Sequence, residues 1–336
     1  MLLRYIAGRL LLACFVIMGV LTLTFAISHV IPADPARAAA GLHASPEAVE
    51  AMRQEMGLDL PVVQRYFLYL GGLLRADLGR SIHTRRPVLR DLRDYFPATA
   101  ELVFLSFGVS CLLGLCLGIT AAVKRNTVAD HLCRVLSVGG VAVPMFWLAL
   151  MMQLLFYRKL GWLPYGGRIS DAVGAPVRVT GMMLIDTLLA GNGAGFLSVL
   201  RHAALPTITL ASYPVAMITR LTRSSMLEVM TAQYIYTARA KGLREWTVIN
   251  KHALKNALIP VLTVIGLQFG FVLGGNVVVE LIFNWAGMGL YVVNSVLTMD
   301  FPAIMGCTLV IAVVFCLVNL LVDLLYAYVD PRVKYG

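Results

Sequence analysis

Charge is scarce in this 336-residue chain. Asp, Glu, Lys and Arg together make up 14% of it, against roughly 25% in a typical soluble protein. Hydrophobic residues make up 59%, and the mean hydropathy is +0.79. A soluble fold cannot hide that much apolar surface behind so few charges, and disorder, collagen and coiled coil fall to the same numbers. The composition is that of a polytopic, all-α membrane protein. Several chemistries are missing too. There is no HExxH, no GxSxG and no CxxC. No Gly is followed by Lys, which excludes a P-loop and Walker-type ATP binding by this chain itself. The six histidines are scattered, and no pair has metal-ligand spacing. The six cysteines lie in or beside apolar runs, as small hydrophobes do.

What charge there is leans positive, at +10 net. No nucleic-acid recognition motif accompanies it, so the basic residues read as flanks of membrane spans facing anionic lipid or a partner. Six apolar runs can span: Leu10–Ile31, Ala98–Val123, Val135–Phe156, Ala203–Ile218, Ala257–Phe283 and Pro302–Val329. The first follows Arg4 and Arg9 and is long for a signal peptide, so it reads as an uncleaved anchor. The fourth is the weakest, because it holds Pro206 and Pro214. Residues 32–97 form a polar insertion with short helices; Ser45-Pro46-Glu47 supplies an N-cap, a Pro at N1 and an acidic first turn. Residues 158–202 read as a Gly-rich loop with an interfacial helix at Met182–Ala190.

Six spans place both termini on one side. Lys and Arg number fourteen on each side, at about twice the density on the side holding 1–9, 124–134, 219–256 and 330–336. Among short loops, 219–256 carries seven and 284–301 none. The first side is therefore expected to be cytoplasmic, with 32–97 and 158–202 outside. Small residues repeat every four positions at Gly266, Gly270 and Gly274, and again at Gly114 and Gly118, a spacing that lets helices approach closely in lipid.

Polar groups inside the spans are expensive and should face the bundle interior or a water-filled path. Gln268, Asn276 and Glu280 lie in the fifth span and Asp323 in the sixth; pathway and structural roles are both open for them. The stretch 224–260 is richer. Leu227, Met230, Tyr234 and Ala238 share one helical face, and Leu243, Trp246, Ile249 and Ala253 a second. Gly242 stands between, where a sharp turn favours a residue without Cβ. Two short helices meeting at an elbow fit this pattern. So does an amphipathic helix lying on anionic lipid through Arg239, Lys241, Arg244, Lys251 and Lys255.

Tyr236-Thr237-Ala238-Arg239-Ala240-Lys241-Gly242-Leu243, followed by His252-Ala253-Leu254-Lys255-Asn256-Ala257-Leu258-Ile259-Pro260, resembles the coupling segment of binding-protein-dependent ABC importer permeases, especially the dipeptide/oligopeptide branch. The resemblance runs nearly end to end. It takes in Ile31-Pro32-Ala33-Asp34-Pro35, Gly57-Leu58-Asp59, Ala76-Asp77-Leu78-Gly79-Arg80-Ser81 and Pro97-Ala98-Thr99-Ala100-Glu101-Leu102. Further on come Arg223-Ser224-Ser225-Met226-Leu227-Glu228-Val229, Gly266-Leu267-Gln268, Asn319 to Ala327, and Asp330-Pro331-Arg332. Two departures from the pattern stand out. Tyr236-Thr237-Ala238 and Lys255 stand where other importers have Glu-Ala-Ala and Pro, a drift common in the peptide branch. Ala286 stands in the usual Trp-Pro-Gly turn.

The resemblance implies a type I importer permease fold in the bacterial cytoplasmic membrane, paired with a second, similar permease. Two cytoplasmic ATPase subunits would supply ATP and Mg, with no cofactor on this chain. A binding protein would deliver substrate to the outer loop. The segment from Tyr234 to His252 would be the coupling helix, seated on an ATPase. Thr180 to Thr187 leans toward the dipeptide member, while the branch also carries nickel, metal chelates, glutathione and haem. A secondary transporter using Glu280 and Asp323 as a proton relay leaves the basic coupling loop unexplained. An intramembrane enzyme lacks its motifs, and a scaffold would carry no flux.

Overall fold

Long apolar runs in lipid must satisfy their own backbone, and helices do so. A computed structural model describes residues 2–30, 35–41 and 44–329, and all its regular elements are helices. The quoted Ile31–Asp34 and Asp330–Arg332 blocks lie outside the described residues, as does His43. In chain order the helices are α1 (Leu2–Val30), α2 (Pro35–Ala40), α3 (Pro46–Glu55), α4 (Val62–Leu74), α5 (Val88–Val123), α6 (Val128–Ala142) and α7 (Met145–Met152, continued as a π-helical turn over Gln153–Lys159). They continue as α8 (Met183–Leu189), α9 (Gly193–Met230), α10 (Gln233–Ala240), α11 (Glu245–Thr247, then π-helical over Val248–Ala253), α12 (Leu254–Ile282), α13 (Met288–Leu297) and α14 (Phe301–Val329). Five are long and apolar enough to cross a membrane, and α6 with α7 makes a sixth if the bent pair counts as one.

Three expectations need correcting. The third span, Val135–Phe156, is broken rather than straight: α6 and α7 meet at 107°. Pro144 is the cause, because it pushes Val143 out of the α region to φ −86°, ψ 121°. The fourth span is not short. It sits inside α9, whose 38 residues run through Pro206 and Pro214; both prolines are buried, where close packing holds the helix despite two missing donors. The loop expected over 158–202 ends early, since Gly193–His202 is already α9, capped by Asn192 accepting from the Gly195 N–H. A short helix is present within it where one was expected, as α8. Ser45 caps α3 as expected, accepting from the Ala48 N–H at 3.3 Å.

The chain forms two compact units. One comprises Leu2–Thr99 and Ala286–Cys316. Its core joins Val88 and Leu92 of α5 to Met288 and Tyr291 of α13 and to Ala303 and Cys307 of α14. Buried Asp300 accepts from the Ser81 hydroxyl and from the His83 N–H at 3.1 Å. Asp91 accepts from Thr84 and from the Tyr291 hydroxyl at 3.1 Å. These two carboxylates fix the 81–86 turn to the helices. Against α1, α4 contributes Tyr66, which shares a 2.6 Å hydrogen bond with Thr22 and an edge contact with Phe25.

The second unit comprises Ala100–Trp285 and, among the described residues, 317–329. Its centre is α9, which packs on α12, α6, α7 and α8. Gly114 and Gly118 of α5 do what their spacing predicts: a Cβ there would fall 2.7 Å from Ile218 and 2.5 Å from Thr222. At Gly266 of α12 a Cβ would come within 2.6 Å of Val322 on α14. Gly274 departs from the expected stripe, because a Cβ there would meet open space.

Between α7 and α9, buried Asp186 of α8 accepts from the Thr180 N–H and hydroxyl of the preceding loop at 2.7 Å each and from the Gly181 N–H at 3.0 Å. Burial pushes its pKa up, but these donors outweigh it and hold the carboxyl below the usual aspartate value. A lowered pKa stabilises the folded loop above the unfolded-chain value of about 3.9 and stops doing so as pH falls through the folded one. Exchange protection of the Thr180 and Gly181 amides should therefore stay level from neutral pH down to about 5 and drop below about 4. In Asp186→Asn it should be low throughout.

Candidate coupling elbow and interior polar groups

The elbow is built on a buried apolar cluster. Ile235 and Ala238 of α10, Val248 and Ala253 of the π-helical turn, Ala257 of α12, Met226 of α9 and Ala122 of α5 pack together. α10 ends in a Schellman motif: the Gly242 N–H donates to Arg239 O at 2.9 Å and the Leu243 N–H to Ala238 O at 3.4 Å. Gly242 has φ +74°. Its surroundings are open, so the requirement for glycine comes from the left-handed backbone and not from crowding. Arg239 straps the turn, donating to Glu245 from Nε at 3.2 Å and Nη2 at 2.6 Å. This hydrogen bond holds the Arg239 pKa above its usual value.

The two proposed faces are corrected in phase. The chain breaks at Thr231–Ala232 between α9 and α10. Leu227 and Met230 therefore join the buried cluster while Tyr234 turns outward, and Ile235, not anticipated, takes its place. The π-helical turn widens the next segment in the same way. Val248 goes in, Leu243 faces out, and Trp246 is 75% exposed. The surface from Ala240 to Trp246 is exposed without interruption, with Tyr236 and Thr237 beside it and His252 half-buried behind. It presents Tyr236, Leu243 and Trp246 with Lys241 and Arg244 on a rigid base.

Inside the same unit, Asn276 and Glu280 lie one turn apart on α12. Both are buried, and Asn276 donates to Glu280. Gln268 is buried on the same helix, and its Oε1, like Oδ1 of Asn276, has no hydrogen-bond partner. Asp323 is half-buried on α14. Among the described residues no three His, Cys, Asp or Glu side chains converge as metal ligands would.

Comparison with known families bears on this arrangement. The profile of the binding-protein-dependent transport system inner membrane component matches residues 114–335, and that of the N-terminal part of such membrane components matches residues 2–103. The chain belongs to this family. It is 48% identical over 96% of its length to the probable D,D-dipeptide transport system permease protein DdpB of Escherichia coli K12, covering 94% of that protein. It is 44% identical over 99% of its length to the dipeptide transport system permease protein DppB of Alkalihalophilus pseudofirmus, all of which it covers. The glutathione transport system permease protein GsiC of Pectobacterium atrosepticum is 39% identical, with 99% of each chain covered. Among solved structures, a chain of the MetNI methionine ABC transporter aligns with TM-score 0.49 and 15% identity, over 69% of this chain and 93% of that one.

This permease also carries buried ion pairs whose partners the sequence does not connect: Glu101 and Arg223 stand in the quoted blocks, Arg168 and Asp130 in none. Glu101 is the only charge between Ala98 and Val123, which could have marked it. It accepts from Arg168 Nη2 and from the Leu184 N–H, both at 2.6 Å. Arg168 also donates to Gly181 O at 3.1 Å and lies over the Trp285 ring at 5.5 Å. Asp130 receives Arg223 in bidentate fashion, at 2.7 and 2.9 Å. Neither Arg168 nor Asp130 stands in an apolar run, so nothing in their local sequence sets them apart.

Proposed function

We propose that this chain is the permease through which an ATP-driven importer passes dipeptides or short oligopeptides, without an ATPase site of its own. The observation that carries the coupling role is the exposed aromatic and basic rim from Tyr236 to Trp246, held by the Schellman turn at Gly242 above a buried cluster. A rigid projecting elbow transmits motion where a loose loop would absorb it. Two cytoplasmic ATPase subunits, which bind the ATP and Mg, would seat this elbow. A second, similar permease would complete the passage, and an extracytoplasmic binding protein would dock on the 32–97 insertion. Both termini would be cytoplasmic, in keeping with the basic 219–256 segment. This chain would bind no cofactor. The peptide substrate rests on the named dipeptide relatives, and the glutathione relative makes that tripeptide the second reading.

In this scheme, closure of the ATPase pair pushes the elbow, rocks α9 and α12, and opens the passage outward; hydrolysis resets it. The buried polar residues Gln268, Asn276 and Glu280, with Asp323, would stand where the rocking helices exchange partners. A photoreactive benzophenone residue in place of exposed Ala240 tests the seat directly. Irradiation of intact membranes should join this chain to a nucleotide-hydrolysing subunit. Crosslinks only to lipid, in a variant that still transports, would remove the coupling role.

A further inference from the structure

A groove of about 500 Å3 lies between α6 and α9, within one compact unit. Its walls below the rim are apolar, with Val138, Val141 and Ala142 on the α6 side. It borders the outward face of α6, where Leu132, Val135 and Leu136 are all more than half exposed. The rim is cationic: Arg134, Arg220 and Arg223 all line it. Arg223 is committed to Asp130, and Arg134 approaches the same carboxylate only at 3.6 Å. Arg220 is exposed and donates only to the Met217 sulfur at 3.1 Å, with no carboxylate partner among the described residues. One acid against three guanidiniums leaves an excess of two positive charges. Thr219 also lines the groove at 2% exposure, and its hydroxyl has no hydrogen-bond partner.

We infer that this groove is a binding site for an anionic phospholipid. Its phosphate would lie between Arg134 and Arg220, and its upper acyl chain along Val138 and Val141. Charge complementarity selects the occupant. A free phosphate would have no use for the apolar walls, and a neutral lipid none for the uncompensated guanidiniums. A helix of another subunit packed here would bury Arg220 without a carboxylate and Arg134 with only a share of Asp130 at 3.6 Å and a 2.7 Å hydrogen bond with His131, which is costly. Guanidinium also suits a phosphate better than ammonium does, through paired N–H donors. The site depends on neither the direction nor the substrate of transport.

The test uses the full-length permease with whatever subunits accompany it, in phosphatidylcholine nanodiscs holding a trace of phosphatidylglycerol with a photoreactive acyl chain. Peptides containing Val138 and Val141 should be labelled more by this probe than by the matching phosphatidylcholine probe. Arg134→Gln and Arg220→Gln should each lower the labelling roughly fivefold, the factor for one basic residue at a membrane surface, and Arg220→Lys should retain most of it. Equal labelling by the two probes, or labelling indifferent to both arginines, would overturn the site. So would a photocrosslink from position 137 to a neighbouring permease in place of lipid. If the variants fail to fold, the comparison of the two probes on the unaltered chain decides.

Discussion

Gly242→Pro should leave the spans inserted and the subunits assembled, while uptake per assembled complex falls roughly a hundredfold, the factor corresponding to ~3 kcal/mol. The Gly242 N–H caps Arg239 O and its φ is +74°. Proline has no N–H and holds φ near −65°. Both Schellman bonds would be lost, and the Arg239–Glu245 strap would no longer span the turn. The change sits outside the buried cluster, since Ile235, Ala238 and Val248 keep their contacts. The expected defect is therefore in coupling and not in folding. Gly242→Ala separates backbone from bulk. Open space surrounds the site, so alanine meets only the left-handed penalty of about 1–2 kcal/mol, and uptake should fall far less. Co-purification of subunits reports assembly and radiolabelled dipeptide uptake reports function. Normal uptake in the proline variant would show that the elbow is not the lever.

Most of the spanning architecture was legible because hydrophobic length is a one-dimensional property. Residues 98–123 and 302–329 fall inside α5 and α14, and 257–283 overruns the end of α12 by one residue. What the sequence hid were events that shift helical phase or break an axis. A proline can do either nothing or everything: Pro144 stands at a 107° bend, whereas Pro206 and Pro214 pass inside a continuous α9. Burial of the latter two by neighbouring helices makes the difference, and burial is a tertiary fact. The elbow shows the same limit. Gly242 was readable as a turn, but the restart at Thr231–Ala232 and the π-helical turn at Val248–Ala253 each rotated the expected face. Tyr234 and Trp246 were thereby exchanged for Ile235 and Val248. Pairs remote in sequence were wholly invisible. Glu101 and Arg168 stand 67 residues apart, and only packing brings them together.

That pair carries the other large expected effect. Glu101 is 2% exposed and Arg168 11% at the side chain, 2.6 Å apart. Removing one partner leaves a buried charge with no counter-ion, which costs about 3–5 kcal/mol. Glu101→Ala strands Arg168 between Gly181 O and the Trp285 ring and takes the acceptor from the Leu184 N–H. Arg168→Ala leaves Glu101 with the Leu184 N–H alone. Either change should loosen α8 and the loop before it, and exchange protection at the Leu184 amide should fall more than a hundredfold. Glu101→Leu combined with Arg168→Met removes both charges and keeps most of the volume, so it should be milder than either single truncation. The ordering decides between two accounts of the pair. Losses that simply add would mean two independent packing residues, whereas a double variant that recovers stability means each charge is tolerated only because the other is there. The same measurement bears on transport. If the loop before α8 must stay docked for the passage to close, the single variants should leak substrate or hydrolyse ATP without uptake, and the double variant should regain coupling along with protection.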